Sequence, residues 1–536
     1  MTGADLLVHS LFDVGVRVVF GMPGSHTVAI YDAIHRHGGI RTILIRNEQA
    51  GAFAADGYAR VTGQPGVICT TAGPGATNAL SGIAEAWGDS VPVLLVTGQV
   101  NHDRLHQECG NYHEIDLESI LRPCTEYVAT AMEHRQIPAM VISAWQAMTT
   151  GRPRPAALIM PQDLMAAEFT LHAPREEFVT RSVTSTMDRA AITNAAALLG
   201  CAKMPLILAG GGAVWADAGS EIHELARRLN CPVVTSQQGK GILDERDPLS
   251  LGHARSARGR IAQPHADVML AIGCRFTEVM TGFRKMQVPK RLIQIDINPN
   301  EIGMNYPVEV GIVADAKAAL QAMLAELPAN VSSDWSAIWP EARAAKRPQS
   351  EWLIDVLRAE LPDDAVLFTD ASEMAYRMHT DFPAYQPRSF FYPSNYIALG
   401  WGFPAAIGAA VAFPASSPSA KPQAGRVVVS FSGDGGFVMT CQELATAARY
   451  RLRMIIIVHN DNAYGAIKHL QRLKYDERYR DTELNNPDFL KLASAFDIPA
   501  RRAGDAASFV SALREALTGD GPFLIEVPDR WRYLRH

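Results

Sequence analysis

Asp434 and Asp461 are the carboxylates whose surroundings best suit metal and phosphate chemistry. Both lie in VVVSFSGDGGFVMTCQELATAARYRLRMIIIVHNDNAYGAIKHLQ, residues 427–471. Residues 427–431 and 454–458 are short β-branched or apolar runs, the pattern of buried strands, and an acid follows each. A strand–helix–strand unit crosses over right-handed and leaves its strands parallel. Both carboxyl ends then open on one edge of the sheet, where ligands of open α/β sheets bind. There the two hard oxygen donors converge beside Gly433, Gly435 and Gly436, a loop that only small residues turn tightly. Mg²⁺ with a diphosphate needs that combination: few carboxylates, open coordination positions and backbone N–H groups open to close approach. Thr440 and Glu443 match the S/T-x-x-E capping box, which predicts a helix starting at Thr440. The plainer alternative is an ordinary strand–helix–strand unit with glycines in its turn. A dinucleotide fingerprint would need glycine where Val438 stands, and Gly239-Lys240 is followed by Gly241, so no P-loop is present.

A third acid, Glu48, closes the apolar run 40–45, and a lone Glu at a strand end is ordinarily a solvated carboxylate. Its context is RNEQAGAFAADGYAR, residues 46–60. That segment, with Gly433-Asp434-Gly435 and the later Asn460-Asp461, resembles the thiamine-diphosphate (ThDP) enzymes of the acetolactate synthase, benzoylformate decarboxylase and pyruvate decarboxylase-like group. The resemblance implies ThDP and Mg²⁺ as cofactors, the metal held by Asp434, by the side chain of Asp461 and by the backbone carbonyl of Ala463. The family usually carries Asn where this chain has Asp461, an equally hard donor that alters the local charge. Glu48 would hydrogen-bond N1′ of the aminopyrimidine. That role needs a carboxyl in a mostly apolar pocket, where desolvation raises its pKa and lets it share a proton. The alanines and Phe53 that follow are compatible with such a pocket.

By the same resemblance, Thr71, Gly73 and Asn78 join Glu48 around the cofactor. Ala371, Ser372, Glu373, Gly433, Gly435, Gly436, Tyr464, Gly465 and Ala466 line its diphosphate. Leu399, two residues after Ile397, falls where the family places a bulky apolar side chain that holds ThDP bent and preorganises its proton transfer. Gly21-Met-Pro-Gly24-Ser25 resembles the family's G-x-P-G loop, with Ser25 facing substrate and His26 open either to proton transfer or to packing. Gln107-Glu108 falls near the substrate in acetolactate synthases. His102, His106 and His113 cluster around it, with spacings that fit no common zinc pattern, and a substrate-lining role is assigned to His113.

The elements that must position these residues alternate strand and helix throughout. The fold class expected is α/β, with three doubly wound parallel-sheet domains. They are a pyrimidine-binding domain at 1–165, a middle Rossmann-like domain at 187–328 and a diphosphate-binding domain at 350–536. Strands are expected at 16–20, 40–45, 66–71, 91–97 and 157–160, then at 206–209, 233–236, 268–272 and 292–297, and then at 365–369. Residues 166–186 read as a linker, 328–350 as a polar connector and 414–425 as an exposed loop. By the same resemblance the middle domain is a module able to hold FAD in some relatives, and Arg275 matches an arginine near that flavin; FAD or an empty scaffold both stay open.

Composition agrees with soluble globular domains: 536 residues, 48% hydrophobic and 20% charged, with a net charge of −6 that gives no reason to expect nucleic acid or an anionic membrane as partner. The 7 cysteines are scattered without a C-x-x-C, which suits buried thiols in a reducing compartment. No signal peptide or membrane-spanning run is apparent, so a cytoplasmic location is expected. The family implies a homodimer or homotetramer with each cofactor between two subunits, Glu48 from one and Asp434 from its partner.

The activity implied is ThDP- and Mg²⁺-dependent decarboxylation of a 2-oxo acid, carboligation to an aldehyde or ketone, or both, through a C2 carbanion or enamine. Acetolactate synthase itself, a ThDP lyase on 2-hydroxy ketones or 2-hydroxyacyl-CoA, and a non-catalytic flavin- or nucleotide-binding relative are the alternatives. Three departures count against a dedicated branched-chain synthase. Val279 stands where those enzymes carry a second arginine, Leu470 stands where they carry a tryptophan, and their extended C-terminal lid has no counterpart before His536.

Overall fold

In the computed structural model, which describes residues 1–107, 110–170, 187–346, 352–413 and 425–529, the apolar runs form three six-stranded sheets. Every strand pair in them is parallel. Glu108, most of the 166–186 linker, the 414–425 loop except its last residue, the start of the third expected domain and the final residues lie outside the described residues.

The first sheet contains β1 (Val18–Gly21), β2 (Arg41–Leu44), β3 (Gly66–Thr70), β4 (Val93–Gln99), β5 (Tyr127–Thr130) and β6 (Ala156–Pro161), in the order β2-β1-β3-β4-β6-β5. The second contains β7 (Pro205–Ala209), β8 (Val233–Thr235), β9 (Ser250–His253), β10 (Val268–Ile272), β11 (Arg291–Asp296) and β12 (Val310–Val313), in the order β12-β11-β10-β7-β8-β9. The third contains β13 (Val366–Thr369), β14 (Phe390–Phe391), β15 (Val428–Gly433), β16 (Met454–Asn460), β17 (Ala500–Arg502) and β18 (Phe523–Pro528), in the order β14-β13-β15-β16-β18-β17. The first and third sheets therefore repeat one topology. Helices cover both faces, so β3, β4, β6, β10 and β16 are buried along their whole length.

Each sheet has a central switch point where the winding reverses: β1 beside β3, β7 beside β10, and β13 beside β15. A crevice opens outside the carboxyl ends of the strands at such points. Ser25 and Thr71 follow the first pair, Gly210 and Gly273 the second, Asp370 and Asp434 the third.

The apolar interior is divided unevenly. Residues of the first and third sheets share one continuous core, from Phe20 and Phe53 to Phe403, Phe437 and Leu524. Its seam is the crossing of the helices Glu48–Thr62 and Gly402–Ala412, whose backbones touch. A Cβ on Gly408 would meet the carbonyl oxygen of Ala54 at 1.8 Å, and one on Gly57 that of Ala405 at 2.0 Å. The middle sheet has its own core, built from residues between Ile192 and Ala342. Among the described residues no helix is long and apolar enough to cross a membrane.

One local expectation fails. Gly433–Gly436 is not a loop, and the helix does not start at Thr440. β15 runs to Gly433 and a helix, Asp434–Thr440, begins at once. Thr440 makes no cap; its Oγ1 donates to the Gly400 carbonyl at 3.2 Å. The Glu443 carboxylate accepts the N–H groups of Arg46 and Asn47 at 2.9 and 3.0 Å, across the seam between the two sheets. A long-range pair of donors outcompetes the local capping box.

Candidate active site

At the β13/β15 switch point a cleft of about 140 Å³ is lined by Ala371, Ser372, Glu373, Leu399, Gly433–Gly436, Asp461 and Ala463–Ile467, among others. The expected residues of the third sheet thus meet in one place, apart from Ile397, which stands two residues before the Leu399 that reaches the cleft. The helix at Glu373–Asp381 starts there because the Ser372 hydroxyl accepts the N–H of Ala375. Close approach requires glycine: a Cβ on Gly435 would strike the Tyr464 ring at 2.6 Å, and one on Gly436 would strike Asp370 Oδ2 at 2.7 Å.

The charge in this cleft is unbalanced. Burial, and then the neighbouring Asp461, pushes the Asp434 carboxyl up to about 6; burial also raises Asp461. Burial raises Glu373 to about 7. Asp434 Oδ2 accepts Asn486 Nδ2 at 2.6 Å, and Asp461 Oδ1 accepts the N–H of Ala463 at 3.0 Å. His459, which also lines the cleft, is paired with Asp529 at 3.1 Å. A buried and a half-buried acid, both with raised proton affinity, beside backbone that glycines leave open, fit a divalent cation and an anionic ligand bound together.

Sequence reading did not find Asn486 or Asp370. Asp370 is fully buried, pushed up to about 7 by burial, and accepts the N–H groups of Ala371 and Gly400. Asp370 directly follows the expected strand 365–369 but carried no assigned role, and Asn486 sits in no pattern; only the fold brings them beside Gly436 and Asp434.

The first-sheet residues gather at the β1/β3 switch point. Glu48 opens the helix Glu48–Thr62 behind its N-cap Asn47. It is 4% exposed. Its Oε2 accepts Asn78 Nδ2 at 3.1 Å, and Gly75 lies against Oε1. Thr71 joins this group to His26, whose Nδ1 lies 3.3 Å from Thr71 Oγ1 and 3.1 Å from Ser25 Oγ. The His26 ring stacks on Tyr112 and His113, with centroids 5.7 and 5.4 Å away. Gly73, at φ 56°, packs under His113, where a Cβ would meet its carbonyl at 2.6 Å. Burial, and then His113, lowers the pKa of His26, so the ring is neutral and able to accept a proton near neutrality.

The histidine cluster read from sequence is not one group. His113 joins His26, whereas His102 pairs with Asp163, and His106 is exposed. Gln107 is also exposed, its amide donating to the Asp103 carbonyl at 2.6 Å. Tyr112 is the member of the ring stack that the sequence did not mark. Among the described residues, none from the first sheet lines the Asp434 cleft, so within one chain the Glu48 group and the Asp434 cleft are separate.

At the second switch point, between β7 and β10, a cavity of about 340 Å³ is lined by Gly211, Gly212, Gly273, Arg275, Asp296 and Arg152, with others. Arg275 donates to the Gly88 carbonyl at 2.7 Å, and Arg152 pairs with Glu301 at 2.6 Å.

Three family profiles match the chain in order. They are described as thiamine pyrophosphate enzyme, N-terminal TPP binding domain (residues 1–120), central domain (192–323) and C-terminal TPP binding domain (370–527). Among curated proteins, a probable acetolactate synthase large subunit of Methanococcus aeolicus is 33% identical, over 98% of this chain and 92% of the relative. One of Methanocaldococcus jannaschii is 34% identical with the same coverage. A probable 2-ketoarginine decarboxylase of Pseudomonas aeruginosa is also 34% identical, over 98% of this chain and 94% of the relative.

Proposed function

From the premise that the chain belongs to the thiamine pyrophosphate enzyme family, we propose that it decarboxylates a 2-oxo acid and passes the fragment either to a proton or to an aldehyde or ketone. The observation that carries this reading is the pairing of a buried Glu48 with a glycine-lined, doubly acidic cleft. A protein that only bound nucleotide would need the second and not the first. ThDP, when bound, supplies an acidic ring carbon and an electron sink for the pair released with CO₂.

The chain's own groups have distinct tasks. Asp434 and Asp461, with Ala463, would hold Mg²⁺. The cleft around Ser372 and Gly435 would hold the diphosphate. Glu48, fixed by Asn78, would hold and return a proton at the pyrimidine ring nitrogen. Leu399 would support the bend between the rings. Ser25, His26 and His113 would move protons at the substrate, and Tyr112 screens them from water by covering the rings. Because the Glu48 group and the Asp434 cleft, the two half-sites, are separate within one chain, we infer a homodimer or higher homo-oligomer with each active site built from two subunits, working in the cytoplasm. The middle cavity is assigned to a nucleotide such as FAD. The glycines that bring β7 and β10 together support that reading, and a flavin absorbance band in the purified protein checks it.

Acetolactate synthase is the second reading, favoured by the names of two of the relatives above. Val279 and Leu470 count against it. Leu470 is an exposed residue of the helix Gly465–Lys474, and the Val279 carbonyl accepts Arg255 at 2.7 Å. The deciding experiment supplies ThDP and Mg²⁺ with pyruvate, benzoylformate, branched and guanidino 2-oxo acids, and follows CO₂ and C–C products. CO₂ release dependent on both cofactors is expected. Acetolactate as the main product from pyruvate would select the second reading, and no CO₂ from any 2-oxo acid would reject both.

A further inference from the structure

Glu85 is a fully buried carboxyl to which the tasks above assign nothing. It stands on the helix Pro74–Asp89, about two turns beyond Asn78 and on nearly the same face. Its Oε2 accepts the N–H of Ala398 at 2.8 Å, from the third domain, and its Oε1 is buried without a hydrogen-bond partner among the described residues. Ala398 lies between Ile397, at φ 61°, and Leu399 of the diphosphate cleft. A β-branched residue at positive φ is strained and persists only where its surroundings hold it. On the far side of Leu399, Gly400 is held by Asp370 and Thr440. On the near side, the contact with Glu85 does the holding.

The groups facing Glu85 are Asp56 and Arg60 on the helix Glu48–Thr62, Asp89 one turn along its own helix, and Tyr392. Three carboxyls therefore share one guanidinium. Asp56 accepts Arg60 Nε at 2.6 Å and Trp401 Nε1 at 3.0 Å. Asp89 accepts Arg60 at 3.1 Å and the N–H and hydroxyl of Ser394 at 3.0 and 3.1 Å. Glu85 has the single donor from Ala398, so it is the member best able to keep a proton. Burial, and then Asp89, moves it in that direction.

We propose that Glu85 is a positioning residue: a neutral carboxyl, borne by the helix that also carries Asn78, pins the Ile397–Leu399 corner and so sets Leu399 at the cleft. The proposal rests on the reading of Leu399 as a cofactor-facing side chain. One helix then serves both half-sites of a chain, Glu48 through Asn78 and Leu399 through Glu85.

Two measurements on the cofactor-free full-length protein test it without turnover. In amide hydrogen exchange, Glu85→Ala should speed exchange at Ala398 about tenfold, the loss of one buried hydrogen bond, and Glu85→Gln should restore protection, since its amide oxygen is a neutral acceptor of the same reach. In the infrared, the protein at neutral pH should show a protonated-carboxyl band that disappears in Glu85→Gln. On the loaded enzyme, Glu85→Ala should lower kcat about tenfold with KM unchanged, and Gln should recover it. If Ala fails to fold, Glu85→Asp replaces it, because the shorter side chain withdraws the acceptor. Unchanged exchange at Ala398, no band assignable to Glu85, or faster exchange with unaltered kcat would each overturn the proposal. A wild-type protein that never releases CO₂ would instead overturn the functional reading and leave the exchange result standing.

Discussion

Glu48→Gln lowers turnover by about 10²–10⁴-fold, the contribution of one well-placed acid–base group, while cofactor binding survives. The substitution keeps the side chain's size and its acceptor for Asn78 Nδ2, so the helix Glu48–Thr62 and its N-cap stay in place. What disappears is the ability to take up and return a proton at a buried position. In free energy the loss corresponds to about 3–5 kcal/mol of barrier. The check is steady-state kcat beside calorimetric ThDP affinity on the same preparation. Near-normal kcat would remove Glu48 from the chemistry. Lost affinity with intact folding would make it a binding residue only.

The second large effect is on the metal. Asp434→Ala weakens Mg²⁺-dependent ThDP binding by more than the 10–100-fold that loss of an outer-sphere partner costs, because it removes a ligand itself. The pH dependence has a definite sign. Asp434 has its pKa raised from 3.8 to about 6 in the folded protein without metal. A raised carboxyl favours folding fully below its unfolded value, and that contribution is lost as pH climbs through about 6. Cation binding needs the ionised pair, so Mg²⁺ affinity rises with pH across the same window. Thermal shifts should show Mg²⁺ stabilising the protein more above that window than below it, and Asp434→Asn raising the melting temperature of the metal-free protein while abolishing the Mg²⁺ shift. A Mg²⁺ shift that persists in Asp434→Ala would place the ion elsewhere. Co-expressed Glu48→Gln and Asp434→Ala chains should regain activity, since in the proposed shared-site dimer a hybrid contains one site with both residues intact.

Legibility in the sequence followed the reach of the interactions. β15 and β16, the acids at their ends and the glycines between them could be read because one crossover unit contains them all. Glu48 could be read only through the resemblance of residues 46–60 to the thiamine-diphosphate enzymes, since the small residues after it are merely compatible with a pocket. β5, β9, β12, β14 and β17 were missed; β14 has only two residues and β17 exposes two arginines, so their apolar patterns are too brief to mark a strand. β18 was missed although it is long and buried. Glu443 was misread because a local pattern, the capping box, competed with donors far away in the chain. Asn486, Glu85 and Tyr112 had no local pattern at all, and Asp370 had only its place after an expected strand. Each acquires its place only when two distant segments meet.

The uneven division of the core bears on how such a protein can be rebuilt. The outer thirds of the chain are packed backbone against backbone at the Gly57–Gly408 crossing and share one interior, so neither is a separable cassette, although a central third with its own interior divides them along the sequence. That central third is the interchangeable part. Exchange with a homologue's counterpart between residues 187 and 346 leaves that shared interior whole but must preserve a boundary that includes the buried pair of His253 on His379 and the hydrogen bond of Gln238 to buried Asp89, whereas a cut that parts the first third from the last severs a single interior. A laboratory chimaera joined at the flanks of the middle segment should therefore fold when its boundary partners are exchanged together, and one joined within the shared interior should not.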